Sequence, residues 1–456
     1  MYEQNPIMLN YNSEEIQSSI SKFEKMLKTN LIYFFDAQEF EDIIIHYLGN
    51  GENQLAKKAL KMGLEQHPSS LEIMLLQSEV FIMDEKYEAA LELLEYVEKF
   101  TPFDEEIALQ KASIASKKGD HPTAIECLHL ALELSEDPIE IWNLLGMEHL
   151  LAEEYQNAVY FFKNCISENP DDYPSLYNLL FCYEQLDQDD LAIEALNEIL
   201  EEDPYCEVAW HHLGKLFFNA GKMKEALSAF DFAIISDDTF SGAYIEKGKV
   251  LEHLGRTNEA IENYEYVLTT EEPNAFILMS IGKCHEKLGN QSLALRYFLK
   301  SIKVEPGNEK GWEKLIDFYL SVGNDKKAKF HLKNALEINS DSILLWQKSA
   351  ELYLHLKKYE KAIAAYLQLL NLGLYDLETV LNVLNLQLEL SRWEEALSVA
   401  EEANSAFPDT IAIQIRLLGC YLQLQKSKQA ESVLNWDALT EDQKEEFKSL
   451  FPKLKF

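Results

Sequence analysis

An all-α solenoid, a stack of helix pairs in place of one globular core, is the fold that three features of this 456-residue chain predict. First, an alanine stands at every thirty-fourth residue: Ala56, Ala90, Ala124, Ala158, Ala192, Ala226, Ala260, Ala294, Ala328, Ala362, Ala396 and Ala430. Self-similarity at a fixed period of this size marks repeated supersecondary units. Second, large side chains recur at helical spacing around each alanine. Third, glycine and proline fall at fixed places between them.

Twelve windows of 34 residues follow, with starts at 37, 71, 105, 139, 173, 207, 241, 275, 309, 343, 377 and 411. The array spans 37–444. Within a window the alanine is position 20. Position 4 holds Phe40, Trp142, Trp210, Tyr244, Trp312 and Trp346, position 11 holds Tyr47, Phe81, Tyr183, Phe217, Tyr319, Tyr353 and Tyr421, and position 24 holds Phe162, Phe230, Tyr264, Phe298 and Tyr366. Positions 4, 7, 8 and 11 lie on one face of a helix, because steps of three and four return to the same side. Gly146, Gly214, Gly248 and Gly282 at position 8 leave space, like the alanines, where two helices cross closely. Gly51, Gly119, Gly221, Gly255, Gly289 and Gly323 at position 15 end the first helix in the left-handed conformation. Pro68, Pro102, Pro170, Pro204, Pro306 and Pro408 at position 32 end the second.

The chain therefore resembles a tetratricopeptide-repeat protein over roughly nine-tenths of its length. The window from Ile139 reads Trp142, Gly146, Ala158, Phe162, Pro170, and that from Glu207 reads Trp210, Leu213, Gly214, Phe217, Ala226, Phe230, Ala233. The resemblance implies a right-handed superhelix. The even period and few insertions are similar to bacterial members. Windows from Glu105, Leu377 and Ile411 depart from the pattern at Ala108, Gln387 and Gln414, where looser packing is expected.

Residues 1–36 and 440–456 are expected to cap the ends, since a terminal repeat otherwise exposes an apolar face. Asn12 with Glu15, and Thr440 with Gln443, have capping-box spacing. Ile16, Ile20, Phe23 and Leu27 form an apolar stripe after the first box, and Phe447, Leu450 and Phe451 after the second. No linker interrupts the array, so one elongated domain is expected.

Composition excludes several classes of function. Forty-one lysines and arginines stand against 78 aspartates and glutamates, a net charge of −37, so sequence-independent binding to nucleic acid or anionic lipid is not expected. No apolar run is long enough to span a membrane, and residues 1–16 have no signal-peptide pattern; a cytoplasmic protein is expected. Six cysteines, with no CxxC pair, read as reduced and structural. Phosphate-loop, nucleophile-elbow, zinc-protease and dinucleotide motifs are absent, and His211 and His212 point about 100° apart on a helix, too far for one metal. No enzyme, cofactor or metal is expected.

Positions 2, 5, 9, 12 and 13 lie opposite the core face of the first helix. In the family that face lines the concave groove where extended peptides bind. Most windows are acidic or neutral there, but Lys215, Lys249 and Lys283 occupy position 9 of three successive windows, and with Lys287 they outnumber Glu252 and Glu286. Adjacent first helices about 10 Å apart would make the three a ladder of roughly 20 Å. Lys314 and Lys348 extend it on one side, and His211 and His253 border it. Met147, Leu150, Leu151, Tyr177, Phe181 and Phe218 give the same face apolar character. Asn143, Asn178 and Asn219 supply carboxamides able to bond an extended backbone, as the family's groove asparagines do. The two-carboxylate clamp of chaperone-binding members is not reproduced: the residues around Asn178 are Asn143, Met147, Val208 and His212.

The resulting expectation is a non-enzymatic adaptor that holds an extended, partly acidic segment of a protein partner. Three alternatives stay open: lysines that merely neutralise acidic neighbours, a scaffold using its convex surface or caps (self-association included), and a peptide-responsive regulator.

Overall fold

The computed structural model describes residues 13–29, 32–434, 436 and 439–454, and among them there are helices and no strands. After Ser13–Thr29, thirteen-residue helices begin at Ala37, Leu71, Glu105, Ile139, Tyr173, Glu207, Ser241, Ala275, Glu309, Ile343, Leu377 and Ile411, each followed by a partner helix. The elements form two units, Met1–Leu216 and Phe217–Phe456. Each unit is an α-solenoid of helix pairs.

Small and large residues lock each pair together. All twelve alanines at position 20 are buried. At position 8 the glycines make room for a ring on the second helix of their own pair: a Cβ on Gly146 would lie 2.7 Å from Phe162, and one on Gly248 or Gly282 would lie 2.6 Å from Tyr264 or Phe298. In the last pair the ring against Gly419 is Phe451, supplied by the C-terminal segment.

The turn at position 15 is more uniform than the glycines suggest. The six glycines there have φ of +71° to +77°, and Glu85, Glu153, Asp187, Lys357, Ser391 and Gln425 occupy the same place at +53° to +60°. The turn is thus set by the geometry of the pair, and glycine is only its easiest occupant.

The departures from the pattern pack closely, contrary to the sequence expectation. Ala108 and Gln387 are each 2 % exposed. Gln414 takes over a tryptophan's hydrogen bond: Trp210, Trp312 and Trp346 donate their indole N–H to the carbonyls of Pro204, Pro306 and Ser340 at 2.9, 2.7 and 2.7 Å, and Gln414 Nε2 donates to Pro408 at 2.6 Å.

At the N-terminal end, Ile20, Phe23 and Met26 are buried against Phe35, Phe40 and Tyr47. Asn12 and the Glu15 side chain of the expected capping box lie outside the described residues. At the C-terminal end Thr440 and Gln443 form a capping box on Glu441–Leu450, and Phe447 and Phe451 are buried. All six cysteines are free thiols. Burial pushes the thiols of Cys284 and Cys420 up to about 12, so they stay protonated at neutral pH.

Candidate functional site

The first helices place the candidate residues on the face away from the buried alanines. In the first unit, Tyr177 and Phe181 are 47 % and 43 % exposed, one turn apart on Tyr173–Gln185. Phe181 meets Tyr155 edge-on at 6.2 Å, and Tyr177 meets His212 at 5.1 Å. Burial, His211 and Lys215 push His212 down to about 3, so its ring is neutral and serves as an apolar wall for Tyr177. Lys215 is exposed and, among the described residues, has no carboxylate within 4.0 Å.

Two of the three asparagines already have internal work. Asn143 Nδ2 donates to Ser175 Oγ at 3.0 Å, and Asn178 Nδ2 donates to Met147 Sδ at 3.3 Å. Both bonds join the helices Ile139–Leu151 and Tyr173–Gln185. The amide donors thus fix the spacing of the wall and leave the carboxamide oxygens to accept from a ligand's N–H groups. Asn219 is exposed.

In the second unit, Phe218 packs edge-on against the exposed His253 at 5.9 Å. Lys249 donates to Glu246 at 2.6 Å and lies 5.2 Å from the centre of the Phe276 ring. Phe276, 40 % exposed at position 2 of the eighth repeat, joins the cationic patch; it is absent from the residues expected from sequence, although position 2 is one of the five groove positions and held the signal. Lys287 pairs with Glu252 at 3.3 Å, and the other oxygen of Glu252 accepts from the Tyr264 hydroxyl at 2.9 Å.

Lys283 differs from its neighbours. It is half-buried, and no carboxylate lies within 4.0 Å of its ammonium among the described residues. Burial, with Lys314 next in weight, pushes its pKa below the ordinary lysine range. The expected continuation of the track is closed instead. Lys314 reaches Asp317 at 3.7 Å, and Lys348 reaches Asp317 at 3.1 Å and Glu351 at 2.7 Å. Carboxylates of this chain already neutralise those two lysines: Lys314–Asp317 and Lys348–Glu351 are three residues apart on one helix, whereas Lys348–Asp317 joins neighbouring windows.

The described residues contain no group of histidine, cysteine and carboxylate side chains arranged to hold a metal, and no helix long and apolar enough to cross a membrane. Family models described as tetratricopeptide repeat match residues 42–105, 149–216, 241–272, 277–308 and 344–372. Anaphase-promoting complex subunit 3 of Schizosaccharomyces pombe is 26 % identical over 146 residues, 32 % of this chain but only 22 % of that relative. The crystal structure of the APC/C hetero-tetramer Cut9–Hcn1 overlaps 89 % of this chain and 93 % of its own at 16 % identity, with a TM-score of 0.36. That of YrrB, a TPR protein with an unusual peptide-binding site, overlaps 41 % of this chain and 97 % of its own at 18 % identity, with a TM-score of 0.32. The unbroken period, the helix pairs it encodes and the five matched segments make this chain a tetratricopeptide-repeat protein, a member of a family of protein-interaction scaffolds.

Proposed function

We propose that the chain is a non-enzymatic adaptor whose first-helix faces hold an extended, partly acidic segment of a partner protein. The first unit offers Met147, Tyr177 and Phe181 to apolar side chains, Asn143 and Asn178 to backbone amides, and Lys215 to a carboxylate. His211 borders this surface. The second unit offers Phe218, Asn219 and His253, then Lys249, Lys283 and Lys287 as the cationic part.

The observation that carries the reading is Lys283. Its ammonium has lost part of its hydration and faces the like charge of Lys314; the more distant Glu252 offsets this only in part, and among the described residues no carboxylate comes within 4.0 Å. A ligand carboxylate would supply the missing counter-charge, and a charge-assisted bond in a half-buried site contributes about 1.5–3 kcal/mol. Exposed aromatic rings on the same faces favour a chain with apolar side chains between its acids.

The test is capture of partners from native lysate at low salt, with wild-type protein beside a variant carrying Lys215→Glu, Lys249→Glu and Lys283→Glu. The captured protein should be lost from the variant and should be displaced from the wild type by acidic peptides. Equal capture by both would remove the lysines from the reading.

A further inference from the structure

The second helices of the eighth and ninth repeats carry a surface unlike the rest of the chain. Residues 275–342 hold eleven lysines and arginines against eight aspartates and glutamates, an excess of cations inside a protein of net charge −37. On Gln291–Val304 and Asp325–Ile338, no carboxylate lies within 4.0 Å of Arg296, Lys300, Lys303, Lys326 or Lys329 among the described residues. In the middle of the second helix stands Phe330, 60 % exposed, between Lys326, Lys329 and Lys333 on adjacent turns, of which Lys333 is paired with Glu337 at 3.5 Å. A solvated face has no use for a phenyl ring ringed by cations.

The first unit contains the complementary shape. Where Tyr155–Glu168, Tyr173–Gln185 and Asp189–Glu202 meet, a cavity of about 480 Å³ is floored by Ile166, Leu179, Ala195 and Ile199. Glu198, Glu201, Glu202 and Lys163 rim it, and among the described residues only Glu198 of the three carboxylates has a cation within 4.0 Å, Lys163 at 3.3 Å.

We propose that a second copy of this chain docks here, with Phe330 seated in the apolar floor and its collar of lysines against Glu201 and Glu202. Apolar burial supplies the contact and the charges fix its register. Charge complementarity selects this occupant: the acid-rimmed hole that fits the basic knob is present on the same chain, whereas an anionic lipid surface would meet a strongly acidic protein. The contact is heterologous, joining different surfaces of the two copies, so it extends beyond a pair unless it closes on itself. None of these residues belongs to the groove of the adaptor reading.

Sedimentation velocity on the 456-residue chain tests it, up to about 100 µM so that a weak contact is populated. The salt is set at about 0.05 M and about 0.5 M, because screening strengthens over this range. The average mass of the wild type should rise with concentration at low salt and fall back at high salt. Phe330→Glu and the double variant Glu201→Lys, Glu202→Lys should each stay at monomer mass with unchanged helical circular dichroism. Both changes are on exposed positions, and cations near a helix C-terminus are favourable. An equimolar mixture of the two variants retains one good knob and one good hole, so it should form dimers and nothing larger. Monomer mass for the wild type at every concentration, wild-type association by either variant, or no dimer in the mixture overturns the contact. Binding to phosphatidylserine vesicles by a protein that stays monomeric would overturn it equally, by assigning the knob to lipid.

Discussion

The first three repeats and the seventh and eighth repeats share one architecture and differ in the sign of the charge on the same face: Glu41, Glu72, Glu79 and Glu106 outnumber Lys117 in the former, and Lys249, Lys283 and Lys287 outnumber Glu252 and Glu286 in the latter. In the former, Glu41 is raised to about 7, by burial first and then by Glu72, Asp42 and Asp36, and Glu79 is raised by burial and Glu106. In the latter, Lys283 is lowered by burial and Lys314. Each region crowds like charges that cannot all be satisfied from within. The difference is in how each can relax. A carboxyl with a pKa near 7 can take up a proton, whereas an ammonium near neutral pH keeps its charge and awaits a counter-ion. Under the proposed function it is therefore the cationic region that a ligand completes.

The strongest way to break this comparison is to move charge in both regions and measure binding. Once a partner is in hand, Lys283→Glu should weaken it by about 100-fold, since loss of a charge-assisted bond costs roughly 1.5–3 kcal/mol and the new carboxylate adds repulsion. Glu72→Gln with Glu79→Gln should change the same affinity by no more than about twofold, because neither residue is among those proposed to touch the ligand and salt screens charges beyond direct contact. Comparable losses from both, measured by fluorescence anisotropy, would show that the two regions do not differ as described.

A second test compares position 8, where the packing solutions differ. Gly282 has the Phe298 ring in the place of its missing Cβ, whereas Ser78 in the acidic region is buried and hydrogen-bonds Gln110 of the next repeat. Gly282→Ala should destabilise the second unit by about 1–3 kcal/mol through overpacking. Ser78→Ala should destabilise the first by about 1 kcal/mol, by stranding the Gln110 oxygen. Urea unfolding with probes in each unit separates the two effects, and a gain in stability from Gly282→Ala would contradict the ring contact.

The repeat register was legible because it is written in single residues: an alanine, a glycine turn and an aromatic each report their place without help from a neighbour. The site was legible only in part. That Lys215, Lys249 and Lys283 share position 9 follows from the period, but that Lys348 is spent on Asp317 and Glu351 does not, because those contacts join different windows or depend on side-chain reach. Asn143 and Asn178 read in the sequence as carboxamides able to bond an extended backbone, and that their donors tie two first helices together is hidden for the same reason. Gln414 reads as a defect by residue type. Its amide nevertheless reproduces the tryptophan bond, because the packing selects for a donor at that distance.

The pH response sharpens the comparison further. The Glu41 carboxyl has a folded pKa above its unfolded value, so the folded state binds more protons between about 4.5 and about 7, and stability falls as pH rises through that window. After discounting for solvent screening, Glu41→Gln should stabilise the first unit by about 1 kcal/mol at pH 8. It should give no gain at pH 4, where the native carboxyl is already protonated. Lys283 has the opposite sign: its folded pKa is depressed, so its cost is present throughout the neutral range and is relieved only as pH rises through that depressed value. Lys283→Met should therefore stabilise the second unit at pH 7 while abolishing the ligand contact. A glutamine variant equally stabilising at pH 4 and pH 8 would mean that Glu41 acts through packing and not charge.

The smallest expected difference lies in the turn. Glu85 in the acidic region and Gly255 in the cationic one occupy the same left-handed position, at φ of +59° and +74°. An L-residue there costs roughly 1–2 kcal/mol, part of which a glycine loses again through its greater freedom in the unfolded chain. Gly255→Ala should lower stability by about 1 kcal/mol, and Glu85→Gly should raise it by up to about 0.5–1 kcal/mol. Because the turn is the same in both regions, the two shifts should be independent of pH and salt once the charge of Glu85 is controlled for with Glu85→Asn. Thermal melts of the three variants settle whether backbone geometry, unlike surface charge, is common to the two halves of the array; a salt-dependent loss for Gly255→Ala would tie even the turn to the electrostatics of its repeat.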